Sequence, residues 1–362
     1  MQPITTKLLL WYDLHHRILP WRTSPRARLA GEIADPYRIW LSEIMLQQTT
    51  VEAVKPYFRA FTDKWPTVTD LSNASQDDVL RAWAGLGYYL RARNLKKCAD
   101  IVCLEHGGHF PTDLNGLKAL PGIGDYTAAA IASIAFDLPV AVVDGNVERV
   151  ITRLYALATP LPAAKPAIRT RMQAITPNER PGDFAQAMMD LGATICTPKR
   201  PACIICPLND DCEAVATTDP EFFPVRAAKK ERPVRLGAAF VAVSSDEEVY
   251  LRSRLETGLL GGMAEVPTTA WTARIDGDTA IGSAPFSGDW IAAGSITHVF
   301  THFELRLNIY KAEKIPKPVG TDGWWVKIAN LGGEALPTVM KKAIAAAIPH
   351  AFAKEGNRND SR

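Results

Sequence analysis

The sequence predicts an all-α region followed by a smaller α+β domain. Three observations carry that expectation. From about residue 5 to residue 212, apolar residues recur at helical spacing between short breaks. From Glu213 to Arg235 the periodicity fades into a stretch with Pro220, Pro224 and Pro233 and the basic residues Arg226, Lys229 and Lys230, the composition of a linker. Beyond it, short runs alternate apolar and polar residues, as half-buried strands do.

The helical pattern is clearest in Leu8, Leu9, Trp11, Tyr12 and His15, then in Ile39, Trp40, Glu43, Met45 and Leu46, then in Val51, Val54, Tyr57 and Phe58. The breaks fall at Asp35-Pro36, Lys64-Trp65-Pro66, Gly85 to Gly87, Gly107-Gly108, Leu120 to Gly124, and Asp144-Gly145-Asn146. Roughly ten short helices result. After the linker, Leu236 to Ser244, Val249 to Arg252, Ser295 to Phe303 and Glu304 to Lys311 read as strands, and Thr338 to Ala347 as a helix. The expected division is a helical core over 1–212, a linker over 213–235, a second domain over 236–354 and a polar tail over 355–362.

Composition narrows the function. The 362 residues are 47% hydrophobic with a formal net charge of +2, so the chain is built for folded cores and has no global basicity. Any nucleic-acid binding must come from local patches and backbone dipoles. Met1 to Leu10 does not read as a secretory signal, and no run of roughly 18 apolar residues suggests a membrane span. Six cysteines in a chain this long are no disulfide framework. Four crowd into one segment, which favours metal ligation in a reducing cytoplasm.

Those four are Cys196, Cys203, Cys206 and Cys212, spaced C-x6-C-x2-C-x5-C. Thiolates bind soft metals, and this set suits either a tetrahedral zinc or a cubane iron–sulfur cluster. Cys98 and Cys103 stand apart and read as small buried hydrophobes of a helix.

Upstream, Leu120-Pro121-Gly122-Ile123-Gly124 joins a helix ending near Ala119 to one beginning near Asp125. Glycines allow close approach, and the next helix offers unpaired N–H groups, so the turn suits a phosphate. An ordinary helix–helix turn capped by Asp125 is the plainer alternative. Glu43 has Ile39, Trp40, Leu46 and Gln47 as helical neighbours. Burial there would raise its pKa and suit a general acid; a half-exposed glutamate at the helix margin is the alternative. Asp144 reads first as the N-cap of the helix from Val147 to Leu157. The helix N-terminus would keep it ionised beside a cation. A protonated Glu with an ionised Asp is the pair that glycosidic cleavage requires. Gln47 and Gln48 close the Glu43 helix and suit base edges, and Gly87-Tyr88-Tyr89 sets aromatics on a glycine turn for stacking or for core packing.

Taken together the chain resembles the helix–hairpin–helix DNA glycosylase superfamily, and within it the adenine DNA glycosylases of the MutY type. The resemblance rests on Leu19-Pro20-Trp21-Arg22, on Ser42-Glu43-Ile44-Met45-Leu46-Gln47-Gln48-Thr49, and on Gly85-Leu86-Gly87-Tyr88-Tyr89. It rests also on Leu120-Pro121-Gly122-Ile123-Gly124, on Asp144-Gly145-Asn146-Val147, and on the cysteines. More loosely, Leu255 to Met263 and Phe300-Thr301-His302 resemble that family's Nudix-like domain. The resemblance implies an all-α helix–hairpin–helix glycosylase core with a [4Fe-4S] loop, then a smaller α+β Nudix-like domain. It implies removal of adenine mispaired with 8-oxoguanine or guanine in double-stranded DNA.

By the same resemblance, Glu43 protonates the flipped adenine, Asp144 stabilises the oxocarbenium centre, and Tyr126 and Asn146 shape the pocket. Arg22 and Gln186 contact adenine. Gln48, with Thr49 beside it, and Tyr88 probe the stack, Gly122 and Gly124 offer N–H groups to phosphate, and Thr301 and His302 contact 8-oxoguanine. Relatives that cleave the strand carry a lysine where Tyr126 stands. A phenol forms no Schiff base, so little or no lyase activity is expected. The chain is expected to act as a monomer in the cytoplasm, off the membrane, with the linker offered to repair or replication partners.

This sequence departs from the family in three places. Thr23 to Ala34 is a longer joint than usual, Ala264 replaces a frequent aromatic, and Thr301 replaces a serine. The Nudix glutamate box is missing, so no pyrophosphatase is expected. The competing readings are a thymine-mismatch glycosylase, a silent lesion sensor, and a nucleotide hydrolase in the second domain.

Overall fold

The computed structural model describes residues 2–227, 232–255, 259–300, 302–317 and 322–352. The chain divides into two compact units, Met1–Ala228 and Lys229–Arg362.

Among its described residues the first unit is helical. Its elements are α1 (Ile4–His15), α2 (Pro25–Leu29), α3 (Pro36–Leu46), α4 (Val51–Lys64), α5 (Val68–Asn73), α6 (Gln76–Trp83) and α7 (Leu90–His106). They continue as α8 (Leu114–Ala119), α9 (Asp125–Phe136), α10 (Gly145–Leu154), α11 (Lys165–Ile175), α12 (Pro181–Thr194) and α13 (Glu213–Thr217). Most breaks in the hydrophobic pattern are caps. Asp35, Thr50, Ser75, Asp113 and Asp144 each accept a backbone N–H of the helix they open, and Thr67 forms a reciprocal capping box with Asp70. Twelve helices precede the cysteine loop where roughly ten were expected. One of the additional helices is α2, inside the long joint, which starts on Ser24 with Pro25 at its first position. Five residues are too short to show a periodicity.

The helices pack around one core in which α12 is central: every residue from Pro181 to Gly192 is buried. α12 packs against α1, α9 and α10, and α3 packs against α9. The expected linker begins too early. α13 follows Cys212 directly, and the Leu161 N–H donates to the Val225 carbonyl at 2.8 Å, so the chain stays with the helical unit through this stretch. Proline-rich composition signalled irregular backbone there, and that backbone is docked.

The second unit carries two three-stranded sheets. One has the order β1 (Val234–Ala242), β5 (Glu304–Ala312), β4 (Ile291–Val299), with β1 parallel and β4 antiparallel to β5. The other has the order β3 (Ala264–Glu265), β2 (Glu248–Ser253), β6 (Gly323–Lys327). The helix α14 (Thr338–Ala347) packs on the first sheet. Along β5, Leu305, Leu307 and Ile309 are buried between exposed Arg306 and Asn308, the alternation visible in sequence. The strand expected over 295–303 begins earlier and ends at Val299, and the Phe300 N–H donates to the Phe303 carbonyl at 2.9 Å just ahead of β5. β6 escaped notice because adjacent Trp324 and Trp325 break the alternation.

Candidate active site

A cavity of the helical unit, about 270 Å³, gathers side chains from α3, α9 and α12, from the joint before α2, and from the start of α10. That is just under the span of drug-sized pockets and suits an occupant as small as a nucleobase. Among the residues singled out in the sequence, Arg22, Glu43, Gln47, Thr49, Tyr126, Asp144, Asn146 and Gln186 line it.

Glu43 sits mid-helix on α3, where the backbone N–H groups are engaged in the helix ladder. It is 7% exposed. Burial pushes its carboxyl up to about 7, and nearby Asp144 pushes the same way, against a hydrogen bond from Tyr126 and the Arg22 charge. Tyr126 stays a phenol, because burial and the two carboxylates raise it well above its ordinary value. The margin reading of Glu43 is therefore wrong; its helical face is covered.

Asp144 caps α10. Its Oδ1 accepts the Val147 N–H at 2.7 Å and its Oδ2 accepts the Asn146 side-chain amide at 3.0 Å. Here the helix N-terminus does less than expected. Burial wins, and the Asp144 carboxyl is raised, held back by the Val147 and Asn146 hydrogen bonds and by the Arg149 charge. Asn146 is fixed in turn by Arg149, which donates to Asn146 Oδ1 at 3.0 Å, to the Gly192 carbonyl at 2.6 Å and to the Cys196 carbonyl at 2.7 Å. Gly192 has to be a glycine: a Cβ there would stand 2.7 Å from the Asn146 Cβ.

Outside the cavity lining, two exposed positions hold the backbone in uncommon conformations. Gln48 and Tyr88 both have left-handed φ, 57° and 51°, and both are exposed, so Tyr88 is not a core residue. One buried guanidinium ties their loops together. Arg91 donates to the carbonyls of Ile44, Met45, Leu86 and Gly87 and to the Thr49 hydroxyl. In the hairpin, Gly122 has φ +78° with Asn94 behind it, and Gly124 rather than Asp125 is the N-cap of α9. Asp125 instead pairs with Lys118 at 2.8 Å. Thr301 lies outside the described residues, and His302 is exposed in the second unit.

Sequence reasoning missed Arg17 and Met189, which also line the cavity, and buried Asp190, Arg91 and Arg149 behind it. Arg17 carried a signal, since it lies just ahead of the Leu19 to Arg22 motif. The others are fixed by partners far away in sequence.

The four cysteines line one small cavity with Arg153, whose guanidinium donates to the Cys196 Sγ at 3.4 Å. Among the described residues no three His, Cys, Asp or Glu side chains gather closely enough for a single metal ion. Four thiols around a common space suit a soft metal or an iron–sulfur cluster. Burial pushes the Cys206 thiol up to about 12, so bound metal must supply the charge that makes it a thiolate. Cys98 is fully buried in α7 and Cys103 partly so, away from this set. No helix among the described residues is long and apolar enough to cross a membrane.

Comparison with known proteins agrees with this geometry. Residues 41–177 match the HhH-GPD superfamily of base excision DNA repair proteins, 196–212 the iron-sulfur binding domain of endonuclease III, and 238–346 a NUDIX domain. The adenine DNA glycosylase of Homo sapiens is 33% identical, over 92% of this chain and 72% of that protein. That of Mycolicibacterium smegmatis (strain ATCC 700084 / mc(2)155) is 41% identical, over 56% of this chain and 67% of that protein. Among solved structures, a thermostable thymine-DNA glycosylase superposes with a TM-score of 0.51 at 28% identity, over 59% of this chain and 94% of that one.

Proposed function

The chain belongs to the adenine DNA glycosylase family, and from that premise we propose that it excises adenine mispaired with 8-oxoguanine or guanine, with little or no strand cleavage. It removes adenine from DNA in base excision repair and holds an iron–sulfur cluster. One observation supports the assignment of roles: Glu43 is buried, is hydrogen-bonded to Tyr126, and shares one cavity with Asp144.

In this reading the flipped adenine occupies the cavity, against Arg22 and Gln186. The Glu43 carboxyl gives its proton to a ring nitrogen of the base. The bond from sugar to base then breaks, its electron pair leaving with neutral adenine. The Asp144 carboxylate meets the oxocarbenium centre, either as a counter-charge or as a transient ester. Water adds to the sugar carbon and loses a proton, leaving an abasic site. Asn146 and the Val147 N–H fix the Asp144 carboxylate, and Tyr126 fixes Glu43. Tyr126 offers no amine, so no Schiff base forms and the strand stays whole.

The remaining residues hold DNA. Gln48, Thr49 and Tyr88 meet the stack, and Gly122 and Gly124 present backbone N–H groups to phosphate. Thr301 and His302 read the opposite base. Cys196, Cys203, Cys206 and Cys212 carry a [4Fe-4S] cluster that orders the loop bearing Lys199 and Arg200, both exposed.

The test uses duplexes with A opposite 8-oxoguanine, A opposite G, and T opposite G, each read with and without alkali. Alkali-dependent breaks confined to the A-containing duplexes are expected. Breaks without alkali would contradict the Tyr126 argument, and excision of T in place of A would transfer the site to the thymine-mismatch reading.

A further inference from the structure

Asp190 lies in α12 and is fully buried. Its Oδ1 accepts the Arg17 Nε–H at 2.5 Å, and its Oδ2 accepts the Arg17 backbone N–H at 2.9 Å and an Arg22 guanidinium N–H at 2.7 Å. Both arginines line the cavity, and the Arg22 side chain is 8% exposed. A buried carboxylate without partners would be driven to its neutral form, and a buried guanidinium without a counter-charge would be equally unfavourable. Each arginine has five N–H donors, of which Asp190 engages one side-chain donor apiece.

We propose that Asp190 is a positioning residue for base excision, holding Arg22, with Arg17 as a second arm, in the orientation that presents their guanidinium N–H groups to the base. The proposal rests on the cavity being the adenine site. It explains the second buried acid of α12, whose other one, Asp183, pairs with Arg180 at the helix start. It also explains why the Arg22 cation can stand beside Glu43 without forcing it to ionise. The groups facing Glu43 are Arg22 from the joint before α2, Tyr126 from α9 and Asp144 ahead of α10, and Asp190 offsets the Arg22 charge among them.

The test compares full-length, cluster-loaded wild type with Asp190→Asn, Arg22→Met and the double variant. Single-turnover excision of A opposite 8-oxoguanine is followed across pH, with thermal melting and cluster absorbance as folding controls. Asp190→Asn and Arg22→Met should each slow excision at saturating enzyme by roughly tenfold to a hundredfold. The double variant should be no slower than Arg22→Met, because one residue acts through the other. The alkaline limb of the Asp190→Asn profile should move to lower pH, since an uncompensated Arg22 favours ionised Glu43. If Asp190→Asn does not fold, Arg17→Met with Asp190→Ser removes charge and partner together, and the same slowing is expected. Wild-type rate and profile in the Asp190 variants, or a double variant as slow as the product of the singles, would overturn the proposal while wild type still excises adenine. Wild type that leaves adenine in place would instead overturn the adenine reading itself.

Discussion

The middle of α3 and the start of α10 each deliver one carboxylate to the same cavity, under opposite circumstances. At Glu43 the helix is already closed around its own hydrogen bonds, and the side chain finds a single phenol donor. At Asp144 the helix is just opening, and an N–H and an amide meet the carboxylate. Both are buried and both are raised, yet only Glu43 is carried up to about 7. Position along a helix sets how many hydrogen bonds each buried carboxylate finds.

The largest effect should come from removing the acid. Glu43→Gln leaves an amide that delivers no proton, and single-turnover excision should fall by roughly 10²–10⁴-fold. Full-rate excision by that variant would end the general-acid role. Next comes Asp144→Asn, expected to cost roughly 10²–10³-fold by deleting the charge at the oxocarbenium centre. Since Asn caps helices about as well as Asp, its melting temperature should stay close to wild type. A large drop in melting temperature would mean that the two roles of Asp144 cannot be separated.

A third measurement sharpens the contrast through pH. The folded Glu43 keeps its proton from its ordinary value of 4.5 up to about 7, a window in which the unfolded chain has released it. The folded state binds more protons there, so stability falls as pH rises through that window. Glu43→Gln removes this penalty. Above pH 7 the inactive variant should unfold at higher urea than wild type, by up to about 3 kcal/mol, and the gap should close toward pH 4. A gap independent of pH would contradict the burial argument. Wild-type activity should decline on the alkaline side near the same pH. The smallest effect belongs to Tyr126→Phe. The hydroxyl lowers the Glu43 pKa, so its loss should move the alkaline limb to higher pH while slowing excision roughly tenfold.

Much of this was legible in the sequence because much of it is local. The capping role of Asp144 needs only the residues that follow it, and the cysteine set needs only its spacing. The strand alternation of Leu305, Leu307 and Ile309 and the bounds of α14 follow from short-range pattern. Other elements fail the same test. α2 is shorter than a helical repeat can reveal, β3 has two residues, and the stretch after Cys212 looked like free linker because its docking partner is Leu161.

The sequence by itself determined the fold class, and it was enough to single out the four cysteines and both carboxylates as candidates. Tertiary structure decided the state in which those carboxylates stand. Burial of Glu43 depends on α9 covering α3, and the ionisation of Asp144 on desolvation that a cap motif does not announce. The exposure of Tyr88 depends on Arg91 pinning two loops, and the Arg22 anchor lies 168 residues away at Asp190. Desolvation and charge pairing are properties of neighbours in space, and neighbours so distant along the chain leave no local pattern to read.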